Sequence, residues 1–283
     1  MSTEMPATHG GIAPHYHALF AVDAVAIAVS AVCLVLRFIQ QRRTWGALWW
    51  DDWTCLGAMI VSCGLLPVWL VSKAGHHIWT YTFDDLSQFL KTLFVLELLY
   101  SSSICLAKLS VLFLYTRLFS VVSIAKVQIY VLFFLVVAFW LSSIFGVIFT
   151  YDPVYAAWEP WIPHTMINMR DFYLATGSIN TCLDLAILIF PQTMVWKIQM
   201  STKKKFLISM LFLLGALVCT ASVARIVCIV QYDETDLTSD VGNMFLWTVL
   251  EPSLAIICCC LPVIYKLFKR NRWEIPSSAE ESK

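Results

Sequence analysis

Seven stretches of this sequence, roughly 18–38, 53–73, 90–118, 127–149, 172–196, 206–231 and 244–268, are long and apolar enough to cross a lipid bilayer. About 20 apolar residues in helical form match the hydrocarbon thickness, and an open chain cannot satisfy its backbone there. Apolar residues make up 59% of the chain and charged ones 13%, against roughly 25% charged in soluble domains. That balance argues against a soluble enzyme and a disordered chain. A formal net charge of +0 gives no footing for nucleic acid.

The expected fold is therefore all-α: a polytopic membrane protein with a seven-transmembrane helix bundle over 18–268. Residues 1–17 form a short outer tail and residues 269–283 a short inner one. The first apolar stretch fits a span better than a signal peptide, since it lacks a basic leading region and a small-residue cleavage site. Lys and Arg near the span ends set the orientation. Fourteen of them fall on one side, including Arg37, Arg42, Arg43, Arg117 and the run Lys203-Lys204-Lys205, against Lys73, Lys91 and Arg170 on the other. The basic side is cytosolic, so the N-terminus is outside and the C-terminus inside, as an odd number of spans requires. Trp45, Trp49, Trp50 and Trp53 fit an inner aromatic belt, and Trp158 and Trp161 an outer one. All ten cysteines lie within apolar runs, so they read as small hydrophobes in a helical core rather than a disulfide framework.

Charges inside the spans carry the functional signal. Asp23, Glu97, Lys108, Asp184, Arg225 and Glu251 interrupt otherwise apolar helices. Each costs about 2.5–3.5 kcal/mol at mid-bilayer on insertion scales unless it is paired or wetted. Counting along the helical rise, Asp23, Glu97, Arg225 and Glu251 lie roughly 8–12 Å from the outer ends, Asp184 about 18 Å and Lys108 somewhat deeper. Helical spacing places Glu97, Ser101 and Lys108 on one stripe, Asn180 with Asp184, Ser222 with Arg225, and Trp247 with Glu251. Two readings stand side by side. The charges are ion pairs that fix packing, Arg225–Glu251 and Lys108–Asp184, or they line a ligand cavity. The outer layer holds more carboxylates than cations, so one of Glu97 and Glu251 is expected to keep its proton near neutral pH. His76 and His77 in the outer loop are candidates to complete a metal or general acid–base site with that layer, or they are a solvated loop; an adjacent pair does not easily point to one centre, and no metal is expected. Pro67, Pro191, Pro252 and Pro262 are expected to kink or end helices.

A retinal Schiff base calls for a lysine in the middle of the last span. The only one there, Lys266, is near the cytosolic end, so no cofactor is expected. Tyr115-Thr116-Arg117-Leu118-Phe119 at the inner end of the third span lacks the acidic residue that usually precedes the arginine in rhodopsin-class receptors.

The chain resembles the fungal rhodopsin-like integral membrane proteins named after the satratoxin-cluster membrane protein. The resemblance rests on Trp49-Trp50-Asp51-Asp52-Trp53, Gly75-His76-His77-Ile78-Trp79, Leu106-Ala107-Lys108-Leu109-Ser110 and Tyr115 to Phe119. It continues through Asn180, Asp184 and Pro191, then Arg225, then Trp247, Glu251 and Cys260-Leu261-Pro262. It implies a seven-span fold in a fungal membrane, endoplasmic reticulum or plasma membrane, and a setting beside secondary-metabolite (mycotoxin-type) genes. Lys108, Asp184, Arg225 and Glu251 fall on its motif positions; Asp23 and Glu97 do not. The expected role is to bind, or convert, an apolar metabolite in a polar-lined cavity. Glu251 and Glu97 would be the acids, with Lys108, Asn180, Asp184, Arg225 and Trp247 around the ligand. The alternative is a small-molecule receptor that couples to a cytosolic protein partner. Besides the ligand, membrane lipids are the expected partners. Accessibility mapping checks the topology: a C-terminal tag should become reachable only after cells are permeabilised, and labelling in intact cells would reverse the orientation.

Overall fold

The computed structural model describes residues 17–45, 48–71, 82–118, 123–197, 202–231 and 237–271. His76, His77, the tail 1–16 and residues 272–283 lie outside them. Helix α1 runs His17–Trp45, α2 Trp50–Cys63, α3 Leu65–Val71, α4 Phe83–Leu118, α5 Ser123–Ile148, α6 Met169–Lys197, α7 Thr202–Gln231 and α8 Leu237–Asn271. Strands β1 (Tyr151–Asp152) and β2 (Thr165–Met166) pair antiparallel in the connection between α5 and α6. That connection reads as a plain polar joint in the sequence.

Among the described residues six helices are long and apolar enough to cross a membrane, and the fold is that of an all-α, multi-pass integral membrane protein. The second expected span is broken instead. Pro67 has no N–H for the Cys63 carbonyl four residues back, and α2 stops there before α3 begins at Leu65. Helix α4 starts earlier than hydropathy alone places it. The Thr82 hydroxyl accepts from Asp85 N–H at 3.3 Å and donates to the Asp85 carboxylate at 2.7 Å, a capping arrangement that carries the helix out past the apolar stretch.

The helices form a closed ring in chain order, α2 following α1 and α8 returning to α1, while α4 also reaches across to α8. Helix α1 turns apolar side chains outward and most of its polar ones inward. On α1, Val22, Val25, Val29, Val32, Val35 and Ile39 are exposed, whereas Asp23, Ile27, Ser30, Leu34, Arg37 and Gln41 are buried. Both sets recur at three- and four-residue steps, so one helix has a lipid face and a polar-containing core face. Small residues allow close approach. A Cβ on Gly215 would meet Leu188 Cδ1 at 2.5 Å, which brings α7 against α6. Short hydrogen bonds add to this: Ser62 Oγ and Ser103 Oγ are 2.6 Å apart between α2 and α4.

At the basic end of the bundle, Arg37 is fully buried rather than interfacial, as its place among the cytosolic charges implied. Its Nε donates to Asp52 Oδ1 at 2.7 Å and its Nη2 to Asp51 Oδ2 at 2.7 Å. Its Nη1 donates to the Cys259 carbonyl of α8 at 2.6 Å. Asp52 also accepts from Gln41 Nε2 at 3.2 Å and from Trp49 N–H at 3.0 Å. Ser110 on α4 donates to the Asp51 carbonyl at 2.8 Å. One guanidinium thus ties α1, α2 and α8 together, and α4 joins through Ser110. Removing one member of such a group leaves a buried charge unpaired, at about 3–5 kcal/mol. Arg37→Met should therefore cause a large loss of folded protein in detergent thermal-melt assays. Val25→Ala, on the lipid face, should leave it nearly unchanged, and equal behaviour of the two would contradict a structural role for Arg37.

Candidate functional site

A second polar group lies in the interior, on the four helices that carry Glu97, Tyr100, Lys108 (α4), Asn180, Asp184 (α6), Ser222, Arg225 (α7) and Glu251 (α8). All of these side chains are buried. Lys108 Nζ is 2.8 Å from Asp184 Oδ1 and donates to the Asn180 carbonyl at 3.0 Å. The pairing expected from their similar depth is formed.

The other expected pair is not the one found. Arg225 Nη2 lies 3.2 Å from Glu97 Oε1, so its carboxylate is Glu97, on α4. The reason is Tyr100, one turn along from Glu97. Its ring lies under the guanidinium, 3.8 Å from ring centroid to Cζ, in a cation–π contact. Its hydroxyl meanwhile donates to Glu251 Oε2 at 2.6 Å. Tyr100 therefore stands between the arginine and Glu251. Glu251 Oε1 accepts from Asn180 Nδ2 at 2.7 Å and lies 2.8 Å from Ser222 Oγ. Ser222 Oγ in turn is 3.0 Å from Asp184 Oδ2. Tyr100, Glu251, Asn180, Ser222, Asp184 and Lys108 form one hydrogen-bonded chain across the two layers read from helical depth, with Ser222 and Asn180 as the links, and the Arg225–Glu97 pair joins it through the Tyr100 ring.

Two clefts border this chain. One is lined by Glu97, Lys108, Asn180 and Arg225 together with Ser143 and Trp140 of α5. The other has Lys108 and Asp184 in its wall. Lys108 is shared by both. Glu251 lines neither; it sits behind Tyr100 and Asn180. Trp247 is also away from both clefts, half-buried against Cys228. Asp23 is buried on α1, apart from the cleft walls. Within the first cleft's wall, two buried atoms have no hydrogen-bond partner: Arg225 Nε and Ser143 Oγ. Ser143 carries no signal in the sequence, because a serine in an apolar helix is indistinguishable from one bonded to its own backbone. Among the described residues no group of three His, Cys, Asp or Glu side chains is placed to hold a metal.

A double-mutant cycle tests the inner pair. Lys108→Met strands Asp184 and should lower the yield of folded protein sharply. Adding Asp184→Asn should restore part of it, and strict additivity of the two single effects would count against the pairing.

Comparison with known proteins gives the family. The fungal rhodopsin domain matches residues 36–270. A SAT4 family membrane protein of Emericella nidulans is 32% identical over 69% of this chain and 50% of its own length. A fugralins biosynthesis cluster protein of Gibberella zeae is 30% identical over 42% of this chain and 30% of its own length. A receptor of Arthrobotrys oligospora is 26% identical over 86% of this chain and 60% of its own length. The chain thus spans less than two thirds of these relatives. No solved structure matches it. With its apolar helices, its buried charged interior and a match across most of its length, this chain belongs to the fungal rhodopsin domain family of integral membrane proteins.

Proposed function

We propose that this protein is a seven-span component of a fungal secondary-metabolite pathway, N-terminus outside and C-terminus cytosolic, that binds an apolar metabolite in the cleft beside α4. The broken helix α2–α3 is the seventh span in this reading, and the membrane is the endoplasmic reticulum or the plasma membrane. One observation carries the ligand site: Arg225 Nε and Ser143 Oγ are buried without partners, and both residues line the same cleft. A buried donor left unsatisfied costs about 1–3 kcal/mol. An acceptor oxygen on a ligand, a carbonyl or carboxylate, recovers that cost. The surrounding Trp140 and Phe139 suit an apolar body. Similarity to a fugralins biosynthesis cluster protein supports the pathway setting.

Within this reading Glu97 is the acid that faces the bound molecule, beside Arg225. Glu251 acts through Tyr100 and Asn180, holding their polar atoms in place, and is a positioning residue. Lys108, Asn180 and Arg225 contact the ligand, while Asp184 fixes Lys108. Binding is the better-supported role. Conversion would require Glu97 to deliver or take a proton while paired to Arg225.

A receptor is the second reading, favoured by similarity to the Arthrobotrys oligospora receptor. The Arg37 group then offers a cytosolic-side junction of α1, α2 and α8, with the basic inner loops as the docking surface for a partner.

Microsomes carrying the protein, incubated with intermediates of the neighbouring pathway, test the proposal. Arg225→Lys keeps the charge opposite Glu97 but removes Nε–H. Retention of the bound intermediate should fall about tenfold, one charged hydrogen bond's worth. Unchanged retention in a folded Arg225→Lys protein would remove the cleft as the site, and a new product in the parent would mark conversion.

A further inference from the structure

We propose that Glu251, Ser222 and Asp184 form a proton-holding site, loaded with one proton at neutral pH, in which Ser222 is the bridge between the two carboxylates. Ser222 Oγ lies 2.8 Å from Glu251 Oε1, 3.0 Å from Asp184 Oδ2 and 3.1 Å from the Val218 carbonyl. A hydroxyl has one hydrogen to give and two lone pairs with which to accept. Three acceptors around one hydrogen would leave bare oxygens facing each other in the interior. A proton on one carboxylate resolves this: that acid donates to Ser222, and Ser222 donates onward.

The charges point the same way. The interior polar group on α4, α6, α7 and α8 contains three carboxylates, Glu97, Asp184 and Glu251, and two cations, Lys108 and Arg225. Asp184 has Lys108 at 2.8 Å and Glu97 has Arg225 at 3.2 Å. Among the described residues Glu251 is hydrogen-bonded to neutral groups alone: the Tyr100 hydroxyl, the Asn180 amide and Ser222. It is the carboxyl that does not need a negative charge to satisfy its neighbours. One proton on Glu251 makes the whole group neutral, and a buried charge without a counter-charge is what a low-dielectric interior penalises most. The charged groups facing Glu251 from the packed elements are Lys108 and Glu97 on α4, Asp184 on α6 and Arg225 on α7. Helix α1 contributes Asp23 as its one buried carboxylate.

Such a site can move its proton without moving a helix. Ser222 releases its hydrogen to Asp184 Oδ2 as it accepts the one on Glu251 Oε1. Glu251 becomes the carboxylate, held by Tyr100 and Asn180, and Asp184 becomes neutral. Lys108 then loses its counter-charge while still lining the cleft. A proton shift over one serine thus changes which cation is free to meet an anionic group there. This inference needs no ligand and stands apart from the pathway reading.

Infrared spectroscopy of the full-length protein in detergent at pH 7, without ligand, tests it. The expected result is a carbonyl band of a protonated carboxylic acid that moves on labelling with 13C-glutamate. It should disappear in Glu251→Gln and shift in Ser222→Ala, which removes the bridge but no acid. Labelling works on the parent protein, so poor folding of Glu251→Gln does not block the answer. Absence of a glutamate-sensitive band in the folded parent overturns the proposal. So does a glutamate-sensitive band indifferent to Ser222→Ala, since Ser222 touches Glu251 and not Glu97.

Discussion

Every charge taken out of water in this bundle needs a partner on another helix, and that requirement does more to fix the arrangement than apolar packing does. In lipid, apolar side chains gain little by facing inward, because the tails outside are as apolar as the core. The exposed valines of α1 and its buried Asp23, Ser30 and Arg37 show the result. What discriminates one helix rotation from another is where the polar atoms find partners. Arg37 finds them on α2 and α8, Lys108 on α6 and Arg225 on α4. Rotating any of these helices by one residue, about 100°, would turn a charge toward lipid.

Much of this is legible in the sequence, and the reason is the same requirement. Hydropathy finds the apolar stretches because the bilayer imposes a length. Lys108 and Asp184 are matched correctly by depth and face alone, since each has one oppositely charged neighbour at its level. The same method pairs Arg225 with Glu251, because it has no means of seeing that the Tyr100 ring occupies the space between them. Depth is a one-dimensional coordinate; the choice between Glu97 and Glu251 is made around the axis of the bundle. The break after Cys63 was signalled by Pro67, but a hydropathy window averages across it.

The Arg37 group went unseen for a different reason. Arg37 stands five residues before Arg42-Arg43 and was grouped with them as an interfacial charge. The signal that distinguishes it is the doublet Asp51-Asp52 at the start of α2. Acids favour a helix N-terminus, which by itself explains them as capping residues. Two adjacent acids that are both buried, however, need a cation, and Arg37 lies one turn inside the basic cluster on the preceding helix. Its five N–H donors are spread over three nitrogens in a planar fork, so each of two carboxylates and a carbonyl meets a separate nitrogen, where a lysine offers one.

Helix α8 takes part in both groups and so relates them. Glu251 holds it to α4, α6 and α7, and the Cys259 carbonyl holds it to α1 through Arg37. The two points are eight residues apart, about 12 Å of helix. Each is followed by a proline, Pro252 directly after Glu251 and Pro262 three residues after Cys259. A proline leaves the carbonyl four residues earlier without its helical donor, so the helix is weakest in bending beside its two anchors.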